Sequence, residues 1–217
     1  MRPNSAFSLN ETDALRRILC TNALNFDLEV ATEYHSYSQG MRHYTYQDSF
    51  KKLYAKSVEL YRSGNMDKSS WFDANELAFI AENGWRVQDF FDYGEDQVHG
   101  GEPSYEIAQS IEQVRRDYFL HIQKSNTSEH RIEAAALPPK PEAVDGIEWL
   151  PRIIQKAIGK LKGELCEEIM YCCGGDRNFL QTHDIHPAEF LRLVWANMDN
   201  HQAIIDFVKS RSPIVKS

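Results

Sequence analysis

Residues 150–163 read LPRIIQKAIGKLKG. Leu150, Ile153, Ile154, Ala157, Ile158 and Leu161 recur at the three- and four-residue spacing that lines one face of a helix. Pro151 suits a first turn, where its missing N–H is not needed, and Gly163 suits the left-handed position just past a helix end. A helix with one apolar stripe must bury it, and nothing in this stretch offers the strict alternation of a strand.

The same grammar extends in both directions. Upstream, Phe50, Leu53, Tyr54, Val58 and Tyr61 form a stripe ended by Gly64, and Asp73 with Glu76 forms a capping box ahead of Leu77, Ile80 and Ala81, stopped by Gly84. Val87, Phe90, Phe91 and Val98 mark a further helix with Gly94 inside it, where a glycine costs about 1 kcal/mol unless close packing requires it. After GGEP at 100–103, Ile107, Ile111, Val114, Tyr118 and Ile122 predict a long helix, and two more helices are expected before residue 40. Downstream, Asp176 is expected to cap a short helix after Gly174-Gly175. Pro187 with Glu189 opens another helix, with His186 at its cap, and Asp199 with Gln202 suits a capping box for a last helix over 203–209. Alternating patterns are scarce, so the expected fold class is all-α.

Residues 124–145, KSNTSEHRIEAAALPPKPEAVD, hold three prolines, no aromatic residue and no helical period, and so read as an extended linker. The expected organisation is therefore a helical bundle over 1–123, a linker over 124–145, and a small four-helix domain over 146–217. Charge separates the two parts. Residues 147–217 carry nine Lys plus Arg and nine Asp plus Glu, whereas residues 1–146 carry 15 against 23, which places the whole formal charge of -8 in the first part. A negative field of this kind argues against general affinity for nucleic-acid backbones.

No window approaches the roughly 18 consecutive apolar residues of a membrane span, and the beginning MRPNSAFSLNETD lacks a basic-then-apolar signal, so a cytoplasmic protein is expected. The cysteines, Cys20, Cys166, Cys172 and Cys173, fit that setting as reduced thiols, because adjacent cysteines make a strained disulfide.

The run GIEWLPRIIQKAIGKLKGELCEEIMYCCGGDRNFLQTHDIHPAEFLRLVW, from Gly146, resembles the uncharacterised bacterial family numbered 5069 among domains of unknown function. The resemblance extends to about Ser210. It rests on Leu150-Pro151-Arg152 with Lys156 a turn later, Gly163 closing that helix, Asp176-Arg177 opening the next and Phe190-Leu191 in a later one. It implies a helical domain beginning near Gly146 and assigns no reaction.

Three constellations bear on chemistry. Arg152, Lys156 and Lys160, spaced by four, put three cations along one side of a helix, and Asp176-Arg177 are expected beside them as part of an anion-binding face supplemented by backbone N–H groups after Gly174-Gly175. The competing reading is a solvated face with ion pairs of little energy. Cys172, Cys173, His183 and His186 are candidate metal ligands, but the paired spacing of structural zinc sites is absent, and buried thiols with surface histidines are the simpler reading. Glu95, Asp96 and His99, with Asp117 and His121, lie too far apart along a hairpin to share one metal.

No nucleophile elbow, phosphate loop, dinucleotide fingerprint or His-Glu-x-x-His is present. The leading expectation is a noncatalytic binding or interaction protein with an anion-binding face at Arg152, Lys156, Lys160, Asp176 and Arg177, its partner a small anionic ligand or another protein. The alternative is a metal-assisted enzyme with its site between the two parts. The cofactor and the oligomeric state stay unknown at this level, and so does whether the protein is an enzyme.

Overall fold

The computed structural model describes residues 43–211. Among them eight α-helices follow in order: α1 Tyr46–Arg62, α2 Ala74–Glu82, α3 Val87–Gly100, α4 Tyr105–His121, α5 Leu150–Lys162, α6 Gly174–Thr182, α7 Pro187–Ala196 and α8 His201–Arg211. The helices expected before residue 40 lie outside the described residues. A two-stranded antiparallel hairpin, β1 Ala143–Val144 and β2 Ile147–Glu148, precedes α5.

The stripe read from α5 is buried as expected: Leu150, Ile153, Ala157 and Leu161 are fully excluded from solvent. They join Ile111, Val114 and Tyr118 of α4, Phe190, Leu191 and Val194 of α7, and Ile204 and Val208 of α8 in one core. Burying a large aliphatic side chain is worth about 1.5–3 kcal/mol, so this stripe dominates the local packing energy. The Phe50 ring of α1 lies edge-on to Trp85, just ahead of α3, with centroids 5.1 Å apart, and tilted against Phe90 of α3 at 5.4 Å, forming an aromatic cluster. Gly94 explains how closely these two helices approach: a Cβ there would stand 2.8 Å from the Ser57 carbonyl oxygen.

Helix ends follow local chemistry with two exceptions. Asp73 and Glu76 form the expected capping box of α2, His186 accepts from Ala188 N and pairs with Glu189 at the start of α7, and Gly163 ends α5 at φ +72°. Helix α6, however, begins at Gly174 with Cys173 as its cap, so Asp176 is an interior residue of the first turn and is wholly buried. Helix α8 starts at His201, where the Asn200 side chain accepts from Ala203 N; Gln202 instead donates to Asp206.

The largest departure concerns residues 124–145. Residues 49–211 fall within one compact unit, and the core just described draws on both sides of the expected boundary. The segment is built in by main-chain bonds: Ile132 N donates to Glu164 O at 2.7 Å and Ile132 O accepts from Cys166 N at 3.2 Å. Leu137 is 5% exposed and joins the core. On α5, a Cβ at Gly159 would meet Leu165 Cδ2 at 2.4 Å and Ile132 Cδ1 at 3.0 Å, so the glycine makes room for this segment. Asp145 and Gly146, at φ +51° and +78°, turn the hairpin as Asp-Gly pairs do. Prolines exclude helix here, yet they leave an extended segment free to bond to its neighbours.

Candidate functional site

Two of the three cations spaced by four on α5 point into the protein. Lys160 is 3% exposed, and its Nζ lies 2.5 Å from Glu112 Oε1 and 3.0 Å from Asp89 Oδ1. Tyr93 also donates to Glu112 Oε1, at 2.6 Å, while Arg86 pairs with Asp89 at 2.7 Å. Although burial opposes it, the positive charges of Arg86 and Lys160 hold the Asp89 carboxyl below its usual range. Burial pushes Glu112 above its own, against the pull of Lys160. This cluster neutralises its own charges within the core, and neither a solvated face nor an open anion site describes it.

Lys156 belongs to a second cluster, centred on Asp176. The Asp176 carboxylate is 0% exposed and accepts three bonds: Oδ2 from Lys156 Nζ at 2.5 Å and from Cys172 N at 2.9 Å, and Oδ1 from Trp149 Nε1 at 2.9 Å. Two of the three donor residues, Trp149 and Cys172, hold left-handed backbone at φ +70° and +69°. Such conformations cost non-glycine residues about 1–3 kcal/mol each and persist where surrounding contacts over-determine them. Gly175 completes the arrangement, since a Cβ there would lie 2.5 Å from Trp149 Cζ2. Lys156 Nζ also donates to Cys173 Sγ at 3.2 Å.

Beside this cluster opens a cavity of about 570 Å³, within the usual size range of small-molecule sites. Trp149, Arg152, Lys156 and Cys173 line it, with Lys140 from the preceding segment. Asp92, Glu95 and Asp96 line it from α3, and Glu167 and Glu168 from the loop ahead of α6. Phe91, Ile169 and Met170 add apolar surface.

The charges in this lining differ in how far they are compensated. Asp96 pairs with Arg177 at 2.7 Å, Glu167 with Lys68 at 2.7 Å, and Lys156 with Asp176. Arg152 donates to the Pro138 carbonyl at 2.8 Å, which orients its guanidinium without neutralising it. Among the described residues neither Arg152 nor Lys140 meets a carboxylate. Glu95 accepts from Tyr61 OH at 2.9 Å and Asp92 from Gln88 Nε2 at 2.6 Å, and among the described residues neither is ion-paired. Burial, with the Asp89 carboxylate reinforcing it, pushes the Asp92 carboxyl up to about 7, against the Gln88 bond and the charges of Arg86 and Lys160.

The five residues expected to form one anion-binding face are thus distributed. Arg152 and Lys156 reach the cavity, Lys160 belongs to the core cluster, Asp176 lies beneath the wall, and Arg177 ties α6 to Asp96 of α3. Cys172 is wholly buried, and its thiol is pushed up by that burial and by Asp176. His183 contacts the Phe179 carbonyl through Nδ1 at 2.9 Å and His186 caps α7; among the described residues no three His, Cys, Asp or Glu side chains gather as a metal site. Asp92, Trp149 and Gly175 carry weight in the structure that their sequence surroundings did not advertise. The Gly174-Gly175 pair was read for its backbone N–H groups, whereas in the structure Gly175 makes room for the Trp149 indole.

No family model, curated protein or solved structure matches the chain. No helix among the described residues is long and apolar enough to cross a membrane.

Proposed function

We propose that this is a small-molecule-binding protein whose cavity receives an anionic group at Arg152. The observation that carries this reading is a guanidinium in a cavity wall, oriented by the Pro138 carbonyl and lacking a carboxylate partner among the described residues, while the neighbouring Lys156, Lys160 and Arg177 all have one. A planar guanidinium offers several donors in fixed directions, which suits a carboxylate or phosphate better than a flexible ammonium does. Lys140 lines the same cavity and adds a second positive charge. The wall behind them is rigid for physical reasons: Asp176 binds three donors at once, and two strained backbones lock Trp149 and Cys172 around it. Preorganisation of this kind lowers the ordering cost of binding.

The anion-binding expectation therefore narrows from a five-residue face to Arg152 with Lys140. The resemblance of residues 146–210 to family 5069 is compatible with this reading and adds no chemistry to it.

The test is calorimetric titration of the wild-type protein with butyrate, succinate, inorganic phosphate and ethyl phosphate. Saturable binding of at least one of them, weakened about tenfold or more by Arg152→Ala and partly restored by Arg152→Lys, is the expected outcome, since a charge-assisted hydrogen bond is worth about 1.5–3 kcal/mol. Binding unaffected by Arg152→Ala in a folded protein, or no binding by any of the four or by their amino-bearing analogues, overturns it.

A further inference from the structure

A purely anionic ligand seated at Arg152 would share the cavity with carboxylates that form no ion pair among the described residues. Asp92 and Glu95 line it from consecutive turns of α3, each holding only a neutral donor, Gln88 Nε2 and Tyr61 OH respectively. Glu168 adds a third carboxylate from the loop ahead of α6. Asp92 is 8% exposed, so its remaining accessible surface is small and its charge is poorly hydrated. A carboxylate so placed gains when a cation enters, because opposite charge and hydrogen bonding replace the water it has lost. The lining is therefore bipolar, with Arg152 and Lys140 supplied by α5 and the segment before it, and Asp92 and Glu95 supplied by α3.

Resting on the anion-binding reading above, we infer that the ligand is zwitterionic: its acid group meets Arg152 and its amino group meets Asp92 and Glu95. Such a molecule compensates both signs of charge in the lining, whereas an anion alone is repelled by the carboxylates. Phe91, Ile169 and Met170, in the same lining, suit a short aliphatic chain joining the two ends. The shared chemistry is an amine separated from an acid, and the acid is either a carboxylate or a phosphate.

The experiment compares matched probes on the wild-type protein by calorimetry. Butyrate is set against β-alanine, γ-aminobutyrate and ε-aminocaproate, and ethyl phosphate against phosphoethanolamine; the chain-length series reads the distance between the two charged ends. The expected result is that at least one amino-bearing probe binds about tenfold or more tightly than its amine-free counterpart. That gain should vanish in Asp92→Asn with Glu95→Gln, while butyrate or ethyl phosphate binds the double variant at least as well as the wild type. Glu95→Gln alone, at the less buried of the two positions, should lose part of the gain and serves if the double variant does not fold. If the amine-free anions bind through Arg152 and the amine adds nothing, the zwitterion inference falls and the anion-binding reading stands. If no probe binds, both fall.

Discussion

Lys156 Nζ and Asp176 Oδ2 lie 2.5 Å apart, with side-chain exposures of 4% and 0%. Neither residue is adjacent to the other in sequence, and each would carry an uncompensated buried charge without its partner. Breaking such a pair from one side costs about 3–5 kcal/mol, whereas the pair as a whole contributes far less to stability. Asp176→Asn should therefore destabilise the protein by about 3 kcal/mol. In a double-mutant cycle with Lys156→Met, the coupling should reach about 2 kcal/mol. Urea denaturation of the four proteins measures both, and a coupling below about 0.5 kcal/mol would show that the pair is not a unit.

Gly175→Ala tests the wall of the cavity. Its Cβ would stand 2.5 Å from Trp149 Cζ2, and the indole must move, taking with it the bond from Nε1 to Asp176. Helix propensity favours alanine by about 1 kcal/mol, but overpacking costs about 1–3 kcal/mol and loss of a buried hydrogen bond adds to that. The net outcome should be destabilisation, accompanied by a changed near-ultraviolet tryptophan signal. A variant as stable as the wild type with an unchanged spectrum would contradict the close packing.

Asp92 makes a prediction about pH. Burial pushes its carboxyl up to about 7 in the folded protein, well above the usual carboxylate range. Between about pH 4 and 7 the unfolded chain has released this proton while the folded protein still holds it, so the group lowers stability progressively as pH rises through that window. Asn at this position keeps an acceptor for Gln88 and does not titrate. Asp92→Asn should match the wild type most nearly at about pH 4 and exceed it by about 2 kcal/mol or more at pH 8. Asp89 titrates in the opposite sense but is common to both proteins and cancels in the comparison. Parallel denaturation curves with no pH-dependent gap would refute the buried titration.

Residues 124–145 should behave as part of the fold. Leu137→Ala removes a core side chain and should cost about 2–4 kcal/mol. Limited proteolysis should spare the stretch around Ile132 to Leu137 in the native protein, where main-chain bonds to Glu164 and Cys166 hold it. Rapid cleavage there, yielding two stable halves, would restore the two-domain description.

Much of the secondary structure was legible because it is local. The stripe from Leu150 to Leu161, the capping box at Asp73 and Glu76, and Gly163 past the end of α5 all depend on neighbours within a turn or two, which sequence spacing encodes. The status of residues 124–145 was not legible. Three prolines show that a helix cannot form, but they are silent on whether an extended chain bonds to something distant, as Ile132 does to Glu164 and Cys166.

The charged row on α5 marks the same limit more sharply. By itself the sequence determined that Arg152, Lys156 and Lys160 share one side of a helix, because a spacing of four is a property of the helix alone. Only the tertiary structure decided that Lys160 meets Glu112 and Asp89, that Lys156 meets Asp176, and that Arg152 meets the Pro138 carbonyl and faces a cavity. Electrostatic energy depends on distance through space and on exclusion of water, and both are set when helices far apart in the chain pack together.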